Sequence, residues 1–449
     1  MNHGNYLKIQ LSIHEFIYLL LNACFFDFMK VLHLNTFQDG GAALCAIRID
    51  KALVRQGIES KMLFAQRTLF PEGVNGSIAE KDYIVRLRSN PLFAKFRHLL
   101  MRIPWYMNVE KMQVRLDEAN TQHLFLHIPY SDYTNIVHHP LVEWADIIHL
   151  HWVSGFVDYS TFFKKIKKPI VWTLHDKYPI VGVQHYCSEF SPVPVSLKSI
   201  DKECEEIKRK GILQSKKLYI VAISQLMWDL CSKSNVLKGL PCTLIHNGVD
   251  TNVFKPYYVK SIDILSMYSN DIIPYLNENT KIFMFSSFGI WNRYKGLDRV
   301  LKALEQIDYE NKVLIVVGEI GKYHIPKVSF PVIYTGLISD SVELVKIYSI
   351  IDFFILASYE EAFAQTPLEA MACGKPVIAT PCSGIPDLIK PFNGIICNGF
   401  DSVSIADGIS KALITGYNSD LIRQYIIREF EWEKIVGQYI ELYNTILNK

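Results

Sequence analysis

The chain lacks most of the features that define a specialised structural class. Its most membrane-like stretch, Ile17-Tyr18-Leu19-Leu20-Leu21 with Ala23-Cys24-Phe25-Phe26, is interrupted by Asn22 and Asp27 and falls short of the roughly 20 apolar residues that a spanning helix needs. A weakly basic start and the lack of a small-residue cleavage site also set it apart from a secretory signal. The nine cysteines are odd in number, scattered and without CxxC pairs; this argues against a zinc ribbon or disulfide framework and fits a reducing compartment. No repeat of solenoid period and no low-complexity tract is present. Nor is there an excess of one charge, since 47 Lys and Arg face 45 Asp and Glu for a net +2. That is too little for a chain built chiefly to neutralise nucleic-acid phosphates, so no nucleic-acid partner is expected.

What is present is a long alternation of short apolar runs and helical patterns. At 449 residues, 49% of them hydrophobic, the chain exceeds one ordinary core and implies two domains. Val31 to Asn35 reads as a strand running into the small-residue loop Gly40-Gly41-Ala42-Ala43 and a helix from Ile47 to Leu53; a loop of that kind lets backbone approach a ligand. Further strands read at 147–150, 170–174, 219–223 and 243–245, and a second series starts at 281–285 and continues through 313–317 and 331–334. The expected division is residues 1–28 as an upstream extension or weak interfacial segment and 29–255 as an N-terminal Rossmann-like domain. Residues 256–279 follow as a linker, 280–429 as a C-terminal Rossmann-like domain, and a terminal helix at 430–449 crosses back onto the first domain. The fold class is α/β, two doubly wound parallel sheets facing a cleft.

The stretch Glu360-Glu361-Ala362-Phe363-Ala364-Gln365-Thr366-Pro367-Leu368-Glu369 carries the sharpest local signal. Thr366 reads as an N-cap, Pro367 as the first helical residue and Glu369 as the far end of a capping box. A helix start beyond a buried strand presents free N–H groups suited to phosphate. Capping alone accounts for Glu369 but leaves Glu361 without a role.

Taken together, Gly40-Gly41-Ala42-Ala43, Leu174-His175-Asp176, His246-Asn247-Gly248-Val249-Asp250, Tyr294-Lys295-Gly296-Leu297-Asp298 and the Glu361-to-Glu369 segment resemble the retaining GT-B glycosyltransferases of family 4, from about Met29 to the end. The resemblance implies a nucleotide-sugar donor, UDP- or GDP-linked, and a glycan or lipid-linked glycan acceptor, with surface polysaccharide biosynthesis as the setting. It makes Glu361 the donor-sugar contact and Glu369 the ribose contact. Lys295 becomes the diphosphate ligand, with Arg293 as a forked second contact and the N–H groups around Ala364, Gln365 and Thr366 completing the phosphate site. Gly40 and Gly41 face the donor from the first domain, and His175 touches the sugar or positions the acceptor. The arginine departs from the family's pattern, since Ile290-Trp291-Asn292 intervene between Gly289 and Arg293. No metal and no cofactor are expected, because Lys295 and the helix N-terminus supply the positive charge.

The segment from Lys81 to Arg115 interleaves cations with Leu92, Phe93, Phe96, Leu99 and Trp105. It reads either as a docking surface for an anionic membrane or as an ordinary amphipathic helix with snorkelling cations. The expected location is cytoplasmic, peripheral on the inner face of the membrane. Two rival functions stay open: a nucleotide-sugar epimerase of the same fold, and a non-enzymatic two-domain binding protein.

Overall fold

The computed structural model describes residues 29–65, 75–81, 104–120, 124–186, 192–321, 324–382 and 384–448. Residues 1–28 and most of the cationic segment 81–115 lie outside them, so the readings made there are not addressed.

Two wholly parallel sheets organise the chain. The first holds β1 (Lys30–Asn35), β2 (Glu59–Phe64), β3 (Gly76–Ile78), β4 (Ile147–Leu150), β5 (Ile170–Leu174), β6 (Leu218–Ala222) and β7 (Cys242–Leu244) in the order 3-2-1-4-5-6-7. The second holds β8 (Lys281–Gly289), β9 (Lys312–Glu319), β10 (Val332–Gly336), β11 (Phe353–Leu356), β12 (Val377–Ala379) and β13 (Gly394–Ile396) in the order 10-9-8-11-12-13. Runs such as Ile-Val-Trp-Thr-Leu in β5 and Phe-Phe-Ile-Leu in β11 are buried at every position. Continuous apolar runs of this sort suit parallel strands covered on both faces by helices. This is the GT-B architecture, and open sheets of this kind bind ligands beyond the carboxyl ends of their strands.

Four helices position the cleft: α1 (Gly41–Arg55), α2 (Leu297–Gln306), α3 (Gln365–Ala372) and α4 (Trp432–Leu447). Helix α4 returns to the first domain, where Trp432, Ile435, Val436, Tyr439 and Tyr443 share a core with Val31, Ile49, Ile147 and Val171. The Asn247-Gly248-Val249 turn seats that crossing. Val249 N–H donates to Phe430 O at 2.8 Å, and a Cβ on Gly248 would come within 2.8 Å of the Trp432 ring. The segment between the sheets is folded as well, since Ile264, Leu265 and Ile272 pack into the core of the second domain.

Candidate active site

Helix α3 begins earlier than its sequence suggests. Ala364 is the N-cap, no side chain caps the helix, and Thr366 and Pro367 lie within its first turn. The capping box read from Thr366 and Glu369 is therefore corrected. Proline is tolerated there because the first four N–H groups of a helix have no internal acceptor. That frees the Glu369 carboxylate for other partners. Its Oε1 accepts from Arg48 Nη2 at 3.1 Å and its Oε2 from Tyr348 at 3.3 Å, while Arg48 Nη1 donates to Gln365 Oε1 at 2.9 Å. Arg48 belongs to α1, so a first-domain cation sits on the Gln365 and Glu369 side chains at the start of this second-domain helix.

Lys295 lies in the turn that opens α2, made possible by Gly296. At φ 86° a Cβ on Gly296 would meet Ala357 O at 2.5 Å, a clash that lets only glycine press this turn against the end of β11. Lys295 Nζ donates to Glu361 Oε1 at 2.5 Å, and Ser358 Oγ donates to the same oxygen at 2.7 Å. Burial disfavours the Lys295 charge, but Glu361 and Tyr186 outweigh it and hold the amine above the ordinary lysine range. Arg293 is exposed, and its carbonyl accepts from Arg299 at 3.4 Å. Gly40, at φ 85°, caps α1, and a Cβ on Gly40 or Gly41 would meet nothing within 4 Å. The N-terminus of α1 thus opens on free space, and only Gly40 has a conformational need for glycine.

The first domain contributes a row of histidines. His33 on β1 pairs in register with His149 on β4, and the parallel pleat puts both on the face that α4 covers. His151 and His175 continue the row at the strand ends. His33 Nδ1 lies 2.8 Å from His151 Nε2, and His151 Nδ1 lies 3.0 Å from His175 Nε2. His149 is held separately, by Tyr443 at 2.7 Å and Thr173 at 2.8 Å. Burial pushes His33 down to about 3 and His175 to about 4, and it holds His149 and His151 well below 6.5. The four rings are therefore neutral at pH 7.

His33, His149 and His151 bring ring nitrogens within 4.8 Å of one another. As a metal site they fit poorly. Both nitrogens of His149 are engaged by hydroxyls, the rings of His33 and His151 stack at 24°, and among the described residues no carboxylate is a hydrogen-bond partner of these rings to offset a buried dication.

Asp176 is not free to meet a ligand. Its Oδ2 accepts from His185 Nδ1 and from Trp152 Nε1, each at 2.6 Å, and its Oδ1 from Tyr178 N–H at 3.0 Å. Burial would raise this carboxyl, but His185 and the hydrogen bonds prevail and lower it. His185 Nε2 in turn contacts His127 Nδ1 at 2.9 Å. Beneath this loop lies Lys208, fully buried, donating to the carbonyls of Tyr178 at 2.6 Å and Val181 at 2.9 Å. Burial lowers its amine to about 7.

The two halves meet through charge. Lys177 pairs with Glu360 at 2.7 Å, Arg48 with Glu369 at 3.1 Å, and Gln225 N–H donates to Asp387 at 2.6 Å. His175, Asp176 and His185 face Glu360 and Glu361 across a cavity of about 60 Å³. Ligand pockets usually hold about 300–1,000 Å³, so this cavity is too small for a nucleotide sugar, and charged groups at it pair with one another. His175 and Glu361 line the cavity and Lys295 reaches it through its bond to Glu361, whereas Gln365 and Glu369 lie against Arg48 and Arg293 stays outside the group. Sequence reasoning missed Arg48, His151, His185 and Lys208. Arg48 sits seven residues beyond Gly41 with no motif around it; His149-Leu150-His151 at strand spacing was the one available hint of a histidine row.

The fold and this cleft define a two-domain GT-B protein, and comparisons narrow it. The family described as "Glycosyl transferases group 1" matches residues 270–427, the second domain. The N-acetyl-alpha-D-glucosaminyl L-malate synthase of Bacillus anthracis is 35% identical over 21% of this chain and 26% of that protein. An N,N'-diacetylbacillosaminyl-diphospho-undecaprenol alpha-1,3-N-acetylgalactosaminyltransferase of Campylobacter jejuni is 24% identical over 50% of this chain and 58% of its own length. The chain thus spans between a quarter and three fifths of these two relatives. Among solved structures, Anabaena Alr3699/HepE in complex with UDP-glucose aligns with TM-score 0.63 at 18% identity, over 93% of this chain and 100% of that one. Sucrose-phosphate synthase from Thermosynechococcus elongatus aligns at 0.62 and 18%, over 94% and 99%.

Proposed function

We propose that this chain is a retaining glycosyltransferase that moves a hexosyl group from a UDP- or GDP-linked sugar to a glycan or lipid-linked glycan acceptor in surface polysaccharide synthesis. The observation that carries this reading is the 2.5 Å Lys295–Glu361 pair, whose Glu361 lines the same cavity as His175. On domain opening, Lys295 exchanges the carboxylate for a donor phosphate oxygen, and Glu361 turns to the sugar hydroxyls. As the C1–oxygen bond breaks, charge grows on the diphosphate, where Lys295 and the N-terminus of α3 stabilise it without a metal ion. The acceptor oxygen attacks from the same face and passes its proton to the departing phosphate oxygen, which preserves the anomeric configuration. The second-domain family match, a relative whose acceptor is named as a diphospho-undecaprenol saccharide and a structural neighbour holding UDP-glucose all support this reading.

The segment 81–115 is proposed to rest on an anionic inner-membrane surface near that acceptor, so vesicle co-sedimentation should require anionic lipid and weaken with salt. The functional test is a calorimetric screen against UDP- and GDP-hexoses, followed by acceptor trials with the best binder and assignment of the product anomer by NMR. An α-linked product from an α-linked donor is expected. An inverted product contradicts retention, and donor hydrolysis or epimerisation without transfer favours the rival enzyme.

A further inference from the structure

His175 is the outer end of a chain of three rings, and the chain has a direction. Each of its two contacts, His33 Nδ1 to His151 Nε2 and His151 Nδ1 to His175 Nε2, needs one proton, and each neutral imidazole carries one. All three protons must therefore point the same way. Run outward, His33 Nδ1–H donates to His151 Nε2, His151 Nδ1–H donates to His175 Nε2, and His175 keeps its own proton on Nδ1. Run inward, His175 Nε2–H donates first and the surplus N–H is stranded on His33 Nε2. That atom is wholly buried and has no hydrogen-bond partner among the described residues. A buried N–H without an acceptor is the rarer and costlier defect, so the outward direction prevails.

We propose that His33 and His151 are positioning residues that lock His175 with its proton on Nδ1, making it a hydrogen-bond donor to the cleft and not a proton acceptor. Nδ1 takes no hydrogen bond among the described residues, and His175 lines the cavity opposite Glu361. The catalytic consequence rests on the glycosyl-transfer reading; the tautomer does not. In that reaction the bond from C1 to the phosphate oxygen breaks, its electron pair leaves with the diphosphate, and the acceptor oxygen bonds to C1. The acceptor proton goes to the phosphate, while His175 keeps its proton throughout and donates to a donor-sugar oxygen. His149, braced by Thr173 and Tyr443, stands outside the chain and holds the row in place.

Two-bond proton–nitrogen correlation spectra of protein labelled with ¹⁵N-histidine test this directly, with His175→Gln supplying the assignment. The wild type should show His175 protonated at Nδ1 and bare at Nε2; protonation at Nε2 overturns the proposal. In His33→Asp the new carboxylate accepts from His151 Nε2–H and reverses the chain, so His175 should switch to Nε2–H. A folded His33→Asp variant with an unchanged His175 tautomer also overturns the proposal, and if that variant does not fold, the wild-type spectrum decides. With donor and acceptor in hand, kcat of His33→Asp should fall by about tenfold or more while KM for the donor changes less than about threefold. Absence of any turnover in a wild type that shows the expected tautomer would refute the function and leave the chain's direction standing.

Discussion

The second domain carries its chemistry in consecutive residues, and the first carries it across strands. Lys295, Gly296, Ser358 and Glu361 lie in two short loops at the ends of β8 and β11. The first domain instead assembles His33 from within β1 and His151 and His175 from the ends of β4 and β5, 118 and 24 residues apart. A loop that grips phosphate can be written in a few positions, because glycine turns and helix starts act locally. A buried hydrogen-bonded row exists only once the sheet has paired its strands in register. The family model matches residues 270–427, within the second domain, while the structural match spans nearly the whole chain.

The largest expected effect separates the domains by chemistry. Glu361→Gln should leave nucleotide affinity within about threefold but cut turnover by about 10²-fold or more, since its sugar contact gains value as charge develops at C1. Near-normal turnover, with donor and acceptor established, would remove Glu361 from the site.

The next effect falls on the first domain alone and comes from pH. Unfolded histidines take up protons near pH 6.5, whereas burial holds folded His33 to about 3, with His149 and His151 also well below 6.5. The contribution of these histidines to stability is thus full above about pH 6.5 and is lost as pH drops from there toward 3. The slope approaches about 1.4 kcal/mol per pH unit for each such histidine. Denaturant midpoints across that range measure it, and His33→Phe should flatten the fall. A flat profile would mean that the row is not buried and neutral.

A third effect probes the contact between the domains. Glu369→Ala leaves the part-buried Arg48 guanidinium without its carboxylate and should lower stability by about 3 kcal/mol, whereas Thr366→Ala should cost less than about 0.5 kcal/mol because Thr366 caps nothing. Chemical denaturation of both variants decides the point. A loss of about 1 kcal/mol or more in Thr366→Ala would restore the capping role that the sequence suggests.

These contrasts also mark what could be read in advance. The two parallel sheets follow from apolar runs such as Ile170–Leu174 and Phe353–Leu356, and the turn at Lys295-Gly296 follows from local chemistry. The start of α3 was misread because Thr-Pro followed by Glu satisfies every local rule for a cap, while Arg48, 321 residues from Glu369 in sequence, claims the carboxylate only in the folded protein. Asp176, beside His175, is likewise claimed in the fold: its three hydrogen bonds come from Trp152, Tyr178 and His185, two of which lie outside its immediate segment. Long-range partners of this kind leave no spacing to recognise.

The central claim is that Lys295 serves a diphosphate. Calorimetric titration of UDP, GDP and the matching nucleosides into the wild type and Lys295→Ala tests it most directly. The account predicts that the variant binds its preferred diphosphate about 30-fold or more weakly, roughly 2 kcal/mol, with nucleoside affinity changed less than about threefold. Equal losses for diphosphate and nucleoside would contradict it, as would a wild type that binds no nucleotide.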